Sequence, residues 1–170
     1  MSELSANSTW LQLFEQQQHA LILFARRWAD LHADAEDMVQ EAMVRVLRVS
    51  PEDVQDPLAY LYTCVRNVGN EFKRTTSRRA KREETVATER NAEDWFECPF
   101  EETERTAALQ AAIRRLSAVR QEVVTLKIWS GMTFPQIGDV LQISPNTAAS
   151  RYRHALIELR DTLSRSGTIR

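Results

Sequence analysis

The sequence predicts an all-α protein of two small helical domains, joined by an acidic linker, the second domain ending in a helix-turn-helix. Three observations support this fold class. The 170 residues include only 4 Gly and 5 Pro, too few for the many tight turns of an all-β fold. Apolar residues recur at helical spacing in both halves of the chain. Between the halves lies an acidic stretch with few aliphatic side chains, which is typical of a linker.

Three helices are predicted in the first half. Apolar residues at helical spacing from Trp10 to Leu31 indicate the first helix. The second is predicted to begin with Asp34 as its N-cap, ahead of an apolar stripe that ends at Val46. After a loop, Asp56 is predicted to cap the third helix, with Pro57 at its first position.

Four helices are predicted in the second half. The first contains Leu109 and ends near Ser117, and the second is stopped by Gly131, a residue that suits a left-handed C-cap. Thr133 and Gln136 form a capping box for the third helix.

The last helix is predicted to begin with Ser144 as its cap and Pro145 as its first residue, after a turn at Gln142 and Ile143. Two capped helices joined by so short a turn match the helix-turn-helix pattern. The polar face of the final helix carries short donors and acceptors followed by cations, which suits entry into the DNA major groove. This face comprises Ser144, Asn146, Thr147, Ser150, Arg151, Arg153 and His154.

Charge is unevenly distributed along the chain, although the formal net charge is only −2. Residues 1–65 carry a net charge of −6, residues 66–82 carry +6, residues 83–113 carry −7 and residues 114–170 carry +5. Binding to a polyanion depends on local neutralisation of phosphates rather than on the total charge. The two basic segments therefore permit DNA binding.

Other functional classes find little support. Cys64 and Cys98 lack metal-ligand spacing, and the three histidines are scattered. No nucleophile–base pair or Gly-rich phosphate loop appears, so we expect neither an enzyme nor a cofactor. The longest apolar run, residues 20–25, is too short to span a membrane, and no export signal opens the chain. We therefore expect a soluble cytoplasmic protein without membrane insertion.

Two further helices carry polar faces opposite their apolar stripes. On the second helix, Asp37, Gln40, Glu41 and Arg48 are spaced at +3, +4 and +11. On the third helix the stripe starts at Tyr60 and recurs at +3, +7, +10 and +14. Its members are Tyr60, Thr63, Asn67, Asn70 and Arg74.

Three stretches resemble bacterial RNA polymerase sigma factors of the sigma-70 family. DAEDMVQE, residues 34–41, resembles the core-binding region 2.2, and DPLAYLYTCVRNVGNEFKR, residues 56–74, resembles the regions for promoter melting and −10 recognition. Residues 116–160, from LSAVRQEVV to HALIELR, resemble region 4. The stretches follow the family's order and spacing and cover most of the chain. The short two-domain form resembles the extracytoplasmic-function (ECF) group.

The resemblance implies a sigma factor with core RNA polymerase and promoter DNA as partners, in a group whose members are often held by an anti-sigma factor. By position, the resemblance implies that the polar face of the second helix binds polymerase. It also implies that the stripe of the third helix contacts the single-stranded −10 element, with Arg66 and Lys73 adding phosphate contacts, and that the last helix reads the −35 element. The implied domains are residues 1–82 and 105–170, with residues 83–104 as the linker. Where the family usually has Gly in the turn, this chain has Gln142.

One alternative stays open. A stand-alone helix-turn-helix regulator would also carry the second half, and its first half would be a sensor or dimerisation domain.

Overall fold

A computed structural model describes the backbone of residues 2–82 and 104–165, and the side chains of residues 8–79 and 107–165. Within these ranges the chain forms seven α-helices, one short 3-10 helix and no strand, which confirms the predicted all-α fold. The chain divides into two compact units, residues 1–93 and 94–170. The predicted linker lies outside the described residues except for Glu104, which is the first residue of a helix.

The first unit is a three-helix arrangement. Helices α1 (Ser2–Ala25), α2 (His32–Val46) and α3 (Pro57–Arg82) pack against one another, and a 3-10 helix at Pro51–Asp53 precedes α3. Burial of one side of each helix supplies the core and leaves the other side to solvent. The largest fully buried side chains of this unit are Trp10, Tyr62, Phe24, Leu21, Leu61, Val39, Val46 and Val65.

Local capping signals predicted the start of α3 correctly and the start of α2 incorrectly. Asp56 Oδ1 accepts a hydrogen bond from the Ala59 backbone N at 3.0 Å, and Pro57 is the first helical residue. By contrast, α2 begins at His32, and its N-cap residue Leu31 makes no side-chain cap. Asp34 therefore lies in the first turn, where its negative charge is favourable to the helix dipole.

The apolar stripe predicted for the first helix runs past the helix end. α1 stops at Ala25, and the next residues form a turn in which the Trp28 backbone N bonds the Ala25 carbonyl at 3.0 Å. Trp28 and Leu31 therefore lie outside α1, and Leu31 is 49% exposed.

The second unit contains α4 (Glu104–Arg115), α5 (Ala118–Ile128), α6 (Phe134–Leu141) and α7 (Pro145–Arg165). α7 packs against each of the other three helices. Leu109, predicted to face inward, is 40% exposed, because Ala108, Ala112 and Ile113 form the core side of α4. A buried cluster between α4, α5 and α7 comprises Ala112, Ile113, Leu116, Val124, Ala155, Leu159 and Leu163.

Three features cap the ends of helices in this unit. Gln121 Nε2 donates to the carbonyls that end α4, at 3.0 to 3.1 Å. Gly131 adopts the left-handed conformation with φ of 68°, as predicted. Thr133 and Gln136 form the predicted capping box of α6, with both reciprocal hydrogen bonds present.

None of the helices in the described ranges is long and apolar enough to cross a membrane.

Candidate partner and nucleic-acid interfaces

The exposed side of α2 carries three of the four residues predicted to bind polymerase. Asp37, Gln40 and Glu41 are solvent-exposed and lie opposite the buried stripe of the helix. Arg48 is also exposed, but α2 ends at Val46, so Arg48 lies in the following turn. The helical spacing that grouped Arg48 with the other three therefore does not apply at this position.

Two apolar side chains adjoin this polar face and were missed by the sequence reasoning. Val44 is 49% exposed and Leu47 is 37% exposed, although α2 has a full buried stripe elsewhere. Val44 follows Gln40 by four residues, so the helical period places it on the same side. Exposed apolar groups among polar ones are typical of a protein–protein interface. We call Asp37, Gln40, Glu41 and Val44, together with Leu47 at the C-cap of the helix, the α2 face.

Arg45 joins the α2 face to α3 through two carboxylates. Its Nη1 and Nη2 donate to the two oxygens of Glu71 at 2.9 and 2.8 Å, and its Nε donates to Glu41 Oε1 at 2.9 Å. The Arg45 hydrogen bonds lower the pKa of Glu71 and are accompanied by a raised pKa of Arg45. Glu41 could be paired with Arg45 from their spacing of four residues, whereas Glu71 comes into reach only through the packing of α3 on α2.

The predicted single-strand stripe begins with two residues anchored in the first unit. The half-buried Tyr60 ring packs on Trp10, with centroids 6.1 Å apart. Burial raises the pKa of the Tyr60 phenol and that of the neighbouring Cys64 thiol, so both are neutral near pH 7. Thr63 donates its hydroxyl to the Ala59 carbonyl at 2.8 Å.

Tyr62 differs from the nearby Tyr60, which is only half-buried. It is fully buried, its hydroxyl donates to Gln17 Oε1 at 3.0 Å, and its ring meets Phe24 edge-on at 5.5 Å. Packing therefore accounts for Tyr62.

The middle of the stripe contains two amides and a partly buried cation. Asn67 is exposed, whereas Asn70 is half-buried and its Oδ1 accepts a hydrogen bond from Trp28 Nε1 at 3.0 Å. Arg66 is half-buried, and no hydrogen-bond partner for its buried Nε occurs among the described residues.

The end of the stripe is strongly basic. Lys73 and Arg74 are exposed and line an open cleft of about 520 Å³ together with Asn70, Ser77 and Arg78. The one carboxylate between residues 66 and 82, that of Glu71, is paired with Arg45. An amide and several cations therefore share one cleft, which suits a base together with its adjoining phosphates. We call Tyr60, Thr63, Arg66, Asn67, Asn70, Lys73 and Arg74 the α3 stripe.

The start of α7 is built by its predicted cap. Ser144 Oγ accepts from the Thr147 backbone N at 3.0 Å and lies 2.8 Å from Thr147 Oγ1. Both hydroxyls are therefore occupied in holding the helix start. The residues beyond them present a polar face, since Asn146, Arg153 and His154 are exposed, and Ser150 and Arg151 are half-buried. We call these five residues the α7 face.

The turn before α7 requires two special backbone positions. Gln142 adopts the left-handed conformation with φ of 57° and ψ of 47°, and its Nε2 donates to the Asp139 carbonyl at 2.7 Å. At Gly138 a Cβ would lie 2.7 Å from the Ile143 carbonyl oxygen, so the turn packs directly on the α6 backbone. Gly138 was missed by the sequence reasoning, because a glycine inside a helix gives no sign of what approaches it.

Comparison with known proteins identifies both units. Family models for Sigma-70 region 2 and Sigma-70 region 4 match residues 13–79 and 106–159. The RNA polymerase sigma-E factor of Streptomyces coelicolor is 30% identical over 149 residues, covering 86% of this chain and 81% of that protein. The ECF RNA polymerase sigma factor SigL of Mycobacterium tuberculosis is 28% identical over 162 residues, covering 90% and 89%.

Two solved structures share the fold. One is the sigma factor RpoE in complex with the anti-sigma factor NepR from Bartonella quintana, with a TM-score of 0.71 and 22% identity over 92% of this chain and 95% of that one. The other is CnrH in complex with the cytosolic domain of CnrY, with a TM-score of 0.61 and 23% identity over 95% and 94%. Together with the family matches, these findings show that the chain belongs to the sigma-70 family of RNA polymerase sigma factors, in its ECF group.

Proposed function

We propose that this sigma factor binds its partners through three helix faces. The α2 face and Arg48 bind core RNA polymerase, the α3 stripe captures the single-stranded −10 element, and the α7 face, with Ser144 and Thr147 at the helix start, reads the −35 element. The two binding domains comprise residues 1–82 and 105–170, and residues 83–104 link them. One observation carries the proposal: in each helix, the assigned residues lie mainly on the side opposite the buried core of the unit.

Promoter opening requires binding energy rather than covalent chemistry from this chain. Each base-pair step costs roughly 1.4 kcal/mol to unstack, and stacking of a base on an aromatic ring returns about 1–3 kcal/mol. Tyr60 supplies the ring, Asn67 and Asn70 supply amides for base edges, and the cations near Lys73 hold the backbone. A few captured bases therefore bias opening within the holoenzyme. We place this activity in the cytoplasm.

The α2 face is tested by binding to core polymerase. Asp37→Lys reverses one charge of the α2 face without touching the Arg45 network, so we expect at least a tenfold weaker affinity for core enzyme. The matched control is Glu52→Lys, the same charge change at an exposed residue of the 3-10 helix. Affinity is measured by fluorescence anisotropy of the labelled full chain. Equal affinities for both variants would show that the α2 face does not bind core polymerase as proposed.

The same experiment separates the two candidate functions. A sigma factor binds core enzyme and shows little specific promoter binding alone, whereas a stand-alone regulator binds its operator without polymerase. The matches to Sigma-70 regions 2 and 4 favour the sigma factor.

The α7 face is tested by separating sequence readout from phosphate contact. Asn146→Ala should relax the base preference at one −35 position, because its amide can pair with a base edge. Arg151→Ala should weaken binding to all promoters and reduce the salt slope by about 1 if its guanidinium contacts a phosphate. In vitro transcription over a library with a randomised −35 element measures the base preference, and holoenzyme binding to one promoter over a range of salt concentrations measures the salt slope. An unchanged base profile for Asn146→Ala would remove its assignment.

An anti-sigma factor is a further proposed partner. This rests on the ECF group and on the two solved relatives of similar fold, one of which holds the anti-sigma factor NepR. Affinity purification of the tagged full chain, followed by competition with core polymerase, tests for such a partner.

A further inference from the structure

A tryptophan outside the α3 stripe holds one of the amides of that stripe. Trp28 lies in the turn after α1, and its indole Nε1 donates to Asn70 Oδ1 at 3.0 Å. The two residues are 42 positions apart in the chain, so the bond depends on the packing of this turn against α3.

The indole of Trp28 is fixed from several sides. A Cβ on Gly69 would lie 2.4 Å from Trp28 Cδ2, so the ring lies directly against the α3 backbone. Phe24 meets the ring edge-on at a centroid distance of 5.3 Å, and the Arg27 guanidinium lies 5.5 Å from its centroid. A ring held in this way has little freedom to turn its N–H elsewhere.

The chemistry of the indole fixes the orientation of the Asn70 amide. An indole nitrogen only donates hydrogen bonds, so the group it meets must be the amide oxygen. The opposite end of the amide is then the NH₂ group, with its two donors. Asn70 lines the basic cleft with Lys73 and Arg74, where the neighbouring cations would hold the phosphates of a bound strand.

We propose that Trp28 is a positioning residue that sets the base specificity of Asn70 by fixing its amide with the donors outward. This rests on the proposed contact between the α3 stripe and the single-stranded −10 element. With its oxygen turned toward Trp28, the amide presents its two donors to the strand, and these pair with base-edge acceptors such as thymine O4 or guanine O6. The paired donor and acceptor by which an amide recognises adenine need a free oxygen, and here that oxygen faces Trp28.

The test compares base preferences of holoenzymes on one promoter library. The full chain, assembled with core polymerase, transcribes templates with a randomised −10 element, and sequencing of the transcripts gives the preference at each position. We expect the wild-type chain to favour thymine or guanine over adenine by about fivefold at the Asn70 position, the effect of one hydrogen bond. Asn70→Ala identifies that position, because it removes the preference there and leaves the others.

Two variants then test the role of Trp28. Trp28→Phe keeps an aromatic ring against Gly69 but removes the N–H, so the amide can rotate and the preference should fall to within about twofold. Asn70→Asp keeps an oxygen for the indole and places a second oxygen where the donors stood. At this position it should disfavour thymine, the one base without an amino group. Trp129→Phe, the same substitution in the second unit, is the control and should reproduce the wild-type profile.

The outcomes separate this inference from the proposed function. If Asn70→Ala leaves every position unchanged, Asn70 does not touch the strand, and both the contact and the role of Trp28 are wrong. If Asn70→Ala acts but Trp28→Phe keeps the full preference, or lowers all transcription without changing the profile, the contact stands and the inference is overturned. If Trp28→Phe fails to fold, Asn70→Asp decides: retention of the wild-type preference would mean that the oxygen already faces the strand.

Discussion

At the residue scale, two opposing effects determine how replacing Gly69 with alanine changes stability. Alanine is favoured over glycine in a helix interior by about 1 kcal/mol, but a Cβ here would lie 2.4 Å from Trp28 Cδ2. Phe24 and Arg27 pack against the Trp28 ring and restrict its movement away from α3. Overpacking of this kind costs about 1–3 kcal/mol. We therefore expect Gly69→Ala to lower the free energy of unfolding, as measured by urea titration of the full chain.

The control for Gly69→Ala is Ser77→Ala, a small substitution on the exposed side of the same helix. We expect it to change the free energy of unfolding by less than about 0.5 kcal/mol. Stabilisation by Gly69→Ala would show that helix propensity outweighs the contact with Trp28.

Gln142 is a second residue whose backbone decides the outcome of substitution. It holds φ of 57° without the freedom of glycine, and this conformation costs an ordinary residue about 1–2 kcal/mol. Gln142→Gly removes that cost, loses one exposed hydrogen bond to Asp139 and gives the unfolded chain more freedom. We expect a net gain of up to about 1 kcal/mol in thermal or urea unfolding. Gln142→Val, which is branched at Cβ, should destabilise, and the opposite order would contradict this account.

At the element scale, the packing of α2 on α3 includes a carboxylate pair that responds to acid. The pKa of Glu71 lies below its ordinary value of 4.5 because Arg45 donates to its carboxylate. A lowered folded-state pKa means that this stabilisation is complete above about pH 4.5 and is lost as the pH falls through the lowered value. Both side chains are more than a third exposed, so the pair contributes at most about 1 kcal/mol.

Glu71→Gln should therefore lower the free energy of unfolding by up to about 1 kcal/mol at pH 7, and the difference from wild type should shrink as the pH falls toward 3. Urea titrations across this range, followed by circular dichroism, measure it. The control is Glu52→Gln, which removes an exposed carboxylate outside this packing. A difference that stays constant with pH would show that ionisation of Glu71 plays no part.

The elements themselves could be predicted where their signals are local. Asp56 with Pro57, and Thr133 with Gln136, lie within a few residues of the backbone groups they cap, so the sequence contains the whole interaction. The start of α2 was misplaced because Asp34 is favourable both as a cap and in a first turn. The Trp28–Asn70 and Arg45–Glu71 pairs span 42 and 26 residues. One sequence gives no sign of such pairs, since they exist only once the helices pack.

At the scale of the whole molecule, alternating charge accompanies the division into binding faces. The α3 stripe lies in residues 66–82, of net charge +6, apart from Tyr60 and Thr63. The α7 face lies in a segment of net charge +5, and residues 83–113, between the two in the sequence, carry −7. Each basic segment attracts DNA phosphates through local charge, and the acidic segment repels them over distances of about 10 Å at moderate salt. The chain can therefore read promoters within the holoenzyme although its net charge is −2.

We predict that the acidic segment limits nonspecific DNA binding by the free protein. Replacing Glu83, Glu84, Glu89 and Glu93 with Gln, and Asp94 with Asn, should raise affinity for a duplex of arbitrary sequence at least tenfold at low salt. The effect should fade toward 1 M salt, where the screening length shrinks to about 3 Å. The matched control removes five exposed carboxylates from the first unit, at Glu15, Asp30, Glu36, Glu52 and Asp53. Both proteins carry the same net charge. An equal rise in affinity would assign the effect to total charge, whereas a larger rise for the linker variant would assign it to the position of the acidic residues in the chain.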